Sequence, residues 1–123
     1  MTSTSEGDEG DGRRSAVFDP VMASAEMGLT PEEFALLLPK AAMEIRLRLE
    51  GVRRALADGD FPAVALHSHT VKSVGASLGA DAVRRAAYEL ECCARGGGEI
   101  LCPELLTELE RRSDDLLAEL DRA

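Results

Sequence analysis

At 123 residues with 45% hydrophobic side chains, the chain can bury one packed core and is too short for two. Aromatic residues make up only 3%, Trp is absent, and Ala, Leu, Glu and Arg dominate; this helix-forming composition argues against a β architecture. The net charge is −9, from 23 acidic and 14 basic residues, and no basic stripe stands ready to neutralise phosphates, so nucleic acid is not expected as a partner.

Taken in chain order, residues 1–16 are mostly Ser, Thr, Gly, Glu and Asp with an Arg pair and have nothing to bury. They read as a disordered acidic tail, leaving 17–123 as the folded domain. Val17 to Met27 is apolar in part, but Pro20 and Gly28 give it the look of an irregular lead-in lying across the rest. Thr30-Pro31-Glu32-Glu33 is a capping box with Pro at the first helical position. A short helix is expected to follow through Phe34, Leu37 and Leu38 and to be broken by Pro39.

The second helix is expected near Lys40 to Ala57, with Met43, Ile45, Leu47, Leu49, Val52 and Leu56 towards its apolar side. Asp58-Gly59-Asp60 supplies a stop, a left-handed glycine and a new N-cap. The third helix spans about Phe61 to Leu78, with Pro62 tolerated in its first turn and Gly79 at its end. The fourth runs from about Asp81 to Arg95 on Val83, Ala87, Leu90 and Ala94, and Gly96-Gly97-Gly98 ends it. The fifth opens at Pro103 and carries Leu105, Leu106, Leu109, Leu116, Leu117 and Leu120. The expected fold is therefore all-α: an antiparallel up-down-up-down four-helix bundle with a short accessory N-terminal helix.

Fold alone does not specify function, so a site is needed. With about 100° per residue on the third helix, Val64, Ser68, Val71, Gly75 and Leu78 form a core stripe, joined by Phe61. His69 projects on the other side, and Pro62, Ala65, Lys72, Ser73 and Ala76 lie within about 60° of it. A solvated helix face is normally rich in Glu, Lys and Arg; this one sets an exposed histidine among small residues, a surface shaped for another protein to close over. An exposed imidazole is a good nucleophile near neutral pH, and one ring nitrogen can attack phosphorus while the other is oriented by a hydrogen bond. Lys72, one turn on, can screen phosphoryl oxygens. No Walker loop is present, so the chain is not expected to bind ATP, and Mg²⁺ would come with a partner rather than as a cofactor of this chain.

The run His69-Thr70-Val71-Lys72-Ser73-Val74-Gly75-Ala76-Ser77-Leu78-Gly79-Ala80 resembles the signature of the histidine-containing phosphotransfer (HPt) domain. The likeness extends upstream through Ala55-Leu56-Ala57-Asp58-Gly59-Asp60 and downstream through Ala87-Tyr88-Glu89-Leu90-Glu91, so it covers about Thr30 to the C-terminus. It implies a four-helix core whose exposed histidine exchanges phosphate with the aspartate of response-regulator receiver domains, without ATP hydrolysis. By position it makes His69 the phosphoacceptor and Lys72 its basic neighbour. Pro62, Ala65, Ser73 and Ala76 are the expected partner contacts. One departure stands out: the family commonly has Gly after the Lys, where the partner approaches, and this chain has Ser73. Altered partner choice or rate is expected from it, rather than loss of transfer.

The expected role is thus a separate, non-enzymatic phosphoryl carrier between a hybrid histidine kinase and a response regulator. A monomer is expected, since the exposed face lacks a broad leucine seam. The alternative from the same residues is a docking module that binds a receiver or kinase domain without phosphate chemistry. No apolar stretch nears the ~18 residues of a membrane span, and the N-terminus lacks a signal-peptide pattern, so a cytoplasmic protein is expected. His67 lies about 160° from His69, near the core edge, and reads as a packed or hydrogen-bonded structural histidine. That divergence, with Cys92 and Cys93 about 100° apart on a helix, argues against a metal site. Cys93 is expected to be half-buried and Cys102 to start a helix; all three cysteines read as free thiols.

Overall fold

A computed structural model describes residues 17–122; the acidic segment 1–16 lies outside the described residues. Five α-helices appear among them: α1 (Pro20–Met27), α2 (Pro31–Ala57), α3 (Phe61–Leu78), α4 (Asp81–Arg95) and α5 (Cys102–Arg122). A single 3₁₀ turn, Glu99–Leu101, leads into α5. The links between α2 and α3, α3 and α4, and α4 and α5 are too short for anything but reversal of direction. Cross-pairs confirm the closing contact: Arg46 of α2 meets Asp121 of α5 at 3.2 Å, and Arg53, seven residues on, meets Glu110. The ladder runs antiparallel, and α2 to α5 form the up-down-up-down bundle.

The start and stop signals act as local chemistry requires. Thr30 Oγ1 accepts from the Glu33 amide at 3.1 Å, while Glu33 Oε1 accepts from the Thr30 amide at 2.9 Å, so two orphan donors are satisfied at the head of α2. Asp60 caps α3 through the Ala63 amide. Gly79, at φ 70°, turns the chain out of α3, and the Gly79 and Ala80 amides return to the carbonyls of Ala76 and Gly75. The interior is aliphatic: Ile45, Val52, Val64, Val71, Leu90, Leu109 and Leu116 are fully buried. Each such Leu or Ile contributes about 1.5–3 kcal/mol through burial.

Three expectations are corrected. Pro39 does not break a helix; α2 passes through it unbroken. Its ring deprives the Ala35 carbonyl of an intrahelical donor, but Ala35 and Pro39 are both exposed, so water can fill that place, while buried Phe34 and Leu38 before it and Ala42 and Ile45 after it hold both halves to the core. Second, the accessory helix is Pro20–Met27 rather than Thr30–Leu38. Asp19 caps the Met22 amide at 3.0 Å, Pro20 occupies the first position and Gly28 ends it at φ 72°. Pro20 and Gly28 are its start and stop, not marks of irregularity. The stretch is tied down by Phe18, whose ring meets Phe34 edge-on at 6.5 Å. Third, Met43 and Leu47 are exposed; the core stripe of α2 is Leu38, Ala42, Ile45, Leu49 and Val52, at alternating spacings of four and three.

Candidate functional site

His69 sits at mid-length of α3 with its side chain 49% exposed, and it leans towards α4. Its Nδ1 lies 3.0 Å from Glu91 Oε2. A carboxylate can only accept, so Nδ1 carries the proton, and the lone pair of the ring belongs to Nε2. The same carboxylate gathers two cations. Lys72 Nζ is 2.9 Å from Glu91 Oε1, and Arg95 Nε is 3.1 Å from Oε2. Lys72 also lies over the Tyr88 ring, 5.2 Å from its centroid.

Glu91 is the buried member of this cluster, only 7% exposed. Burial pushes its carboxyl upward, but the contacts from Lys72, His69 and Arg95 outweigh that and hold it below the ordinary carboxylate range. It therefore stays ionised at neutral pH. His69 gains a fixed orientation from it, and Lys72 is held one helical turn from the imidazole.

Beside His69, between the first half of α2 and the second half of α3, runs an open apolar groove of about 430 Å³. Met27, Phe34, Leu37 and Val74 supply its floor and walls, Lys40 and Glu44 flank it, and Ser73 stands at its edge with His69. Of the expected contact residues, Pro62, Ser73 and Ala76 are exposed on α3, and Ser73 lines the groove. Ala65 is a correction: it is buried, at 1% exposure. It lies on the flank of α3 that faces α4, where a single methyl lets helices approach and is covered by them, whereas the longer His69 side chain clears the seam.

The Hpt domain family model matches residues 37–123. The chain belongs to the Hpt domain family. A crystal structure of histidine-containing phosphotransfer protein B (HptB) from Pseudomonas aeruginosa PAO1 is similar over 86% of this chain and 92% of that one, with a TM-score of 0.79 and 24% sequence identity. That likeness establishes a shared fold. No curated protein matches in sequence.

Within this Hpt domain, sequence reasoning located His69 and Lys72 but not what organises them. Glu91 and Arg95 come from another helix, and Glu91 is 22 residues away in the chain. A signal did exist: Glu91 lies four residues after Ala87 and three before Ala94, both buried, so a carboxylate occupies a position where the α4 pattern calls for an apolar residue. The other histidine behaves as read. His67 is half-buried and its Nδ1 lies 3.2 Å from Arg48 Nη1. Cys93 is half-buried and Cys102 begins α5.

Proposed function

We propose that this histidine phosphotransfer protein accepts and donates its phosphoryl group on His69, in exchange with the aspartate of response-regulator receiver domains. The carrying observation is the contact of His69 Nδ1 with Glu91, which leaves the Nε2 lone pair on an exposed ring as the nucleophile. In the forward step Nε2 forms a bond to phosphorus as the bond from phosphorus to the aspartyl oxygen breaks, and the carboxylate leaves with the electron pair. No proton has to depart, because Nδ1 keeps its hydrogen. The ring becomes cationic as it is phosphorylated, and the adjacent Glu91 carboxylate stabilises that developing charge.

Lys72 is the near cation for the phosphoryl oxygens. Its pairing with Glu91 and Tyr88 holds the ammonium at the site before a partner arrives. The chain supplies a positioned nucleophile and one cation, and Mg²⁺ with most of the remaining transition-state stabilisation belongs to the receiver. On this reading the protein is a carrier and not an enzyme with its own ATP site, working as a monomer in the cytoplasm between a hybrid histidine kinase and a response regulator. No helix among the described residues is long and apolar enough to cross a membrane.

The test is label transfer from a panel of receiver domains phosphorylated on Asp to wild type and to His69→Gln. Transfer to wild type alone, giving an acid-labile and base-stable phosphate, is expected. Binding of a receiver with no transfer from any of the panel would instead favour a phosphate-independent docking module.

A further inference from the structure

At the turn between α4 and α5, two thiols converge on one point. Cys93, in the last turn of α4, directs its Sγ to the Gly98 carbonyl oxygen at 2.7 Å. Cys102, the first residue of α5, directs its Sγ to the same oxygen at 3.9 Å. The turn between them is built for this approach. A Cβ on Gly98 would fall 2.6 Å from Cys93 Sγ, so a side chain there would displace the thiol. Gly97, at φ 82°, lets the chain bend back. Cys92, next in sequence, is exposed and points elsewhere, so the convergence belongs to this pair and not to cysteine content in general.

We propose that Cys93 and Cys102 are a redox-responsive pair that closes to an intramolecular disulfide across the α4–α5 turn when the protein meets a disulfide oxidant such as glutathione disulfide. Cys93 is half-buried and is the thiol an oxidant can reach, whereas Cys102 is fully buried. The Cys93 thiolate attacks one sulfur of glutathione disulfide, forming a mixed disulfide and releasing glutathione thiolate. Cys102 then attacks Cys93 Sγ and releases the second glutathione. Two protein thiols lose their protons and two electrons, and glutathione disulfide is reduced to two glutathiones.

The order follows from the environment. Burial, with Cys93 beside it, pushes the Cys102 thiol up to about 11, so it is the poorer first nucleophile and acts once its target is held next to it. The closed loop would join the last turn of α4 to the start of α5 and remove freedom from the unfolded chain, not from the native one. Since α4 also carries Glu91 and Arg95, closure reinforces the helix end behind the phosphoacceptor without touching His69.

The experiment treats the reduced protein with glutathione disulfide and maps its peptides without reduction. Expected is a Cys93–Cys102 linked peptide, with Cys92 still open to alkylation and a thermal midpoint raised by about 5–10 °C that returns to the starting value under dithiothreitol. Cys102→Ala, checked for helix content by circular dichroism, should stop at a glutathione adduct on Cys93, and Cys93→Ser should leave Cys102 unmodified. A Cys92–Cys93 linkage, a dimer joined through Cys92, or a wild-type adduct on Cys93 that never closes would each overturn the proposal. None of these results depends on whether His69 carries phosphate.

Discussion

His67 and His69 are two residues apart on one helix, and the fold assigns their ring nitrogens opposite duties. Nδ1 of His69 faces a carboxylate, which only accepts; Nδ1 of His67 faces the Arg48 guanidinium, which only donates. His69 must therefore hold its proton on Nδ1, and its Nε2 lone pair is free for chemistry. His67 has its Nδ1 lone pair engaged by Arg48, and the other edge of its ring packs over Gly51, where an added Cβ would lie 2.8 Å from Nε2. On the proposed reading, the charge of the neighbour across the helix seam selects the nucleophile, more than the histidine itself does.

The largest effect should come from the histidines. His69→Gln is expected to abolish labelling by a phosphorylated receiver, while His67→Gln should label close to wild type, because a glutamine carbonyl can still accept from Arg48. Phosphopeptide mapping decides the point. Phosphate found on His67 in wild-type protein would mean that the carboxylate neighbour is not what selects the site.

Next come changes to the carboxylate. Glu91→Ala frees the imidazole to rotate and releases both cations, and a loss of orientation on this scale should slow transfer by about 10- to 100-fold. Stability should fall by about 1–3 kcal/mol, at the modest end for a buried ion cluster because Arg95 and His69 remain open to water. Glu91→Gln keeps an acceptor for Nδ1 but loses the charge, so its rate should lie between the two. The pH dependence has a definite sign. The folded state holds the Glu91 carboxyl below its ordinary range, so its stabilisation is fully present above the unfolded carboxylate value and is lost as pH falls through the lowered folded one. Urea unfolding should accordingly show the gap between wild type and Glu91→Gln wide at pH 7 and narrowing as the pH drops below about 4.

The same contrast explains what could be read from the chain. The bounds of α3 and α4 follow from Asp60, Gly79 and the glycine run at 96–98, since caps and turns act over four residues or fewer. His69 and Lys72 were visible because they share a helix turn. Glu91 was not, because its contacts cross from α4 to α3, and a glutamate on a helix ordinarily reads as solvated. Pro39 misled for a related reason: a rule about local hydrogen bonding was overridden by the packing of Phe34, Leu38, Ala42 and Ile45 on the opposite face. Ala65 was misplaced because a helical wheel gives direction but not reach.

His67 can be disturbed without touching His69. Gly51→Ala gains about 1 kcal/mol of helix propensity, but its methyl would press into the His67 ring, and overpacking of this kind costs about 1–3 kcal/mol. Denaturant unfolding should show a net loss of about 1 kcal/mol, with the phosphotransfer rate unchanged. A rate loss matching that of Glu91→Ala would mean that the two sides of α3 are coupled and that the division of duties between the histidines is too sharp.

The smallest effect is expected at Ser73, one turn beyond His69 on the exposed side and at the edge of the apolar groove. If a receiver closes over the groove, the hydroxymethyl group stands between its surface and the phosphoacceptor. Ser73→Gly removes that group at a helix-propensity cost of about 0.5 kcal/mol. Single-turnover transfer at increasing receiver concentration separates the consequences. Better access should lower the half-saturating concentration by a few-fold and leave the limiting rate nearly the same, because Glu91 and Lys72 still set the geometry of the imidazole. A change in the limiting rate alone would place Ser73 with the groups that act on the phosphoryl group instead of with those that admit the partner.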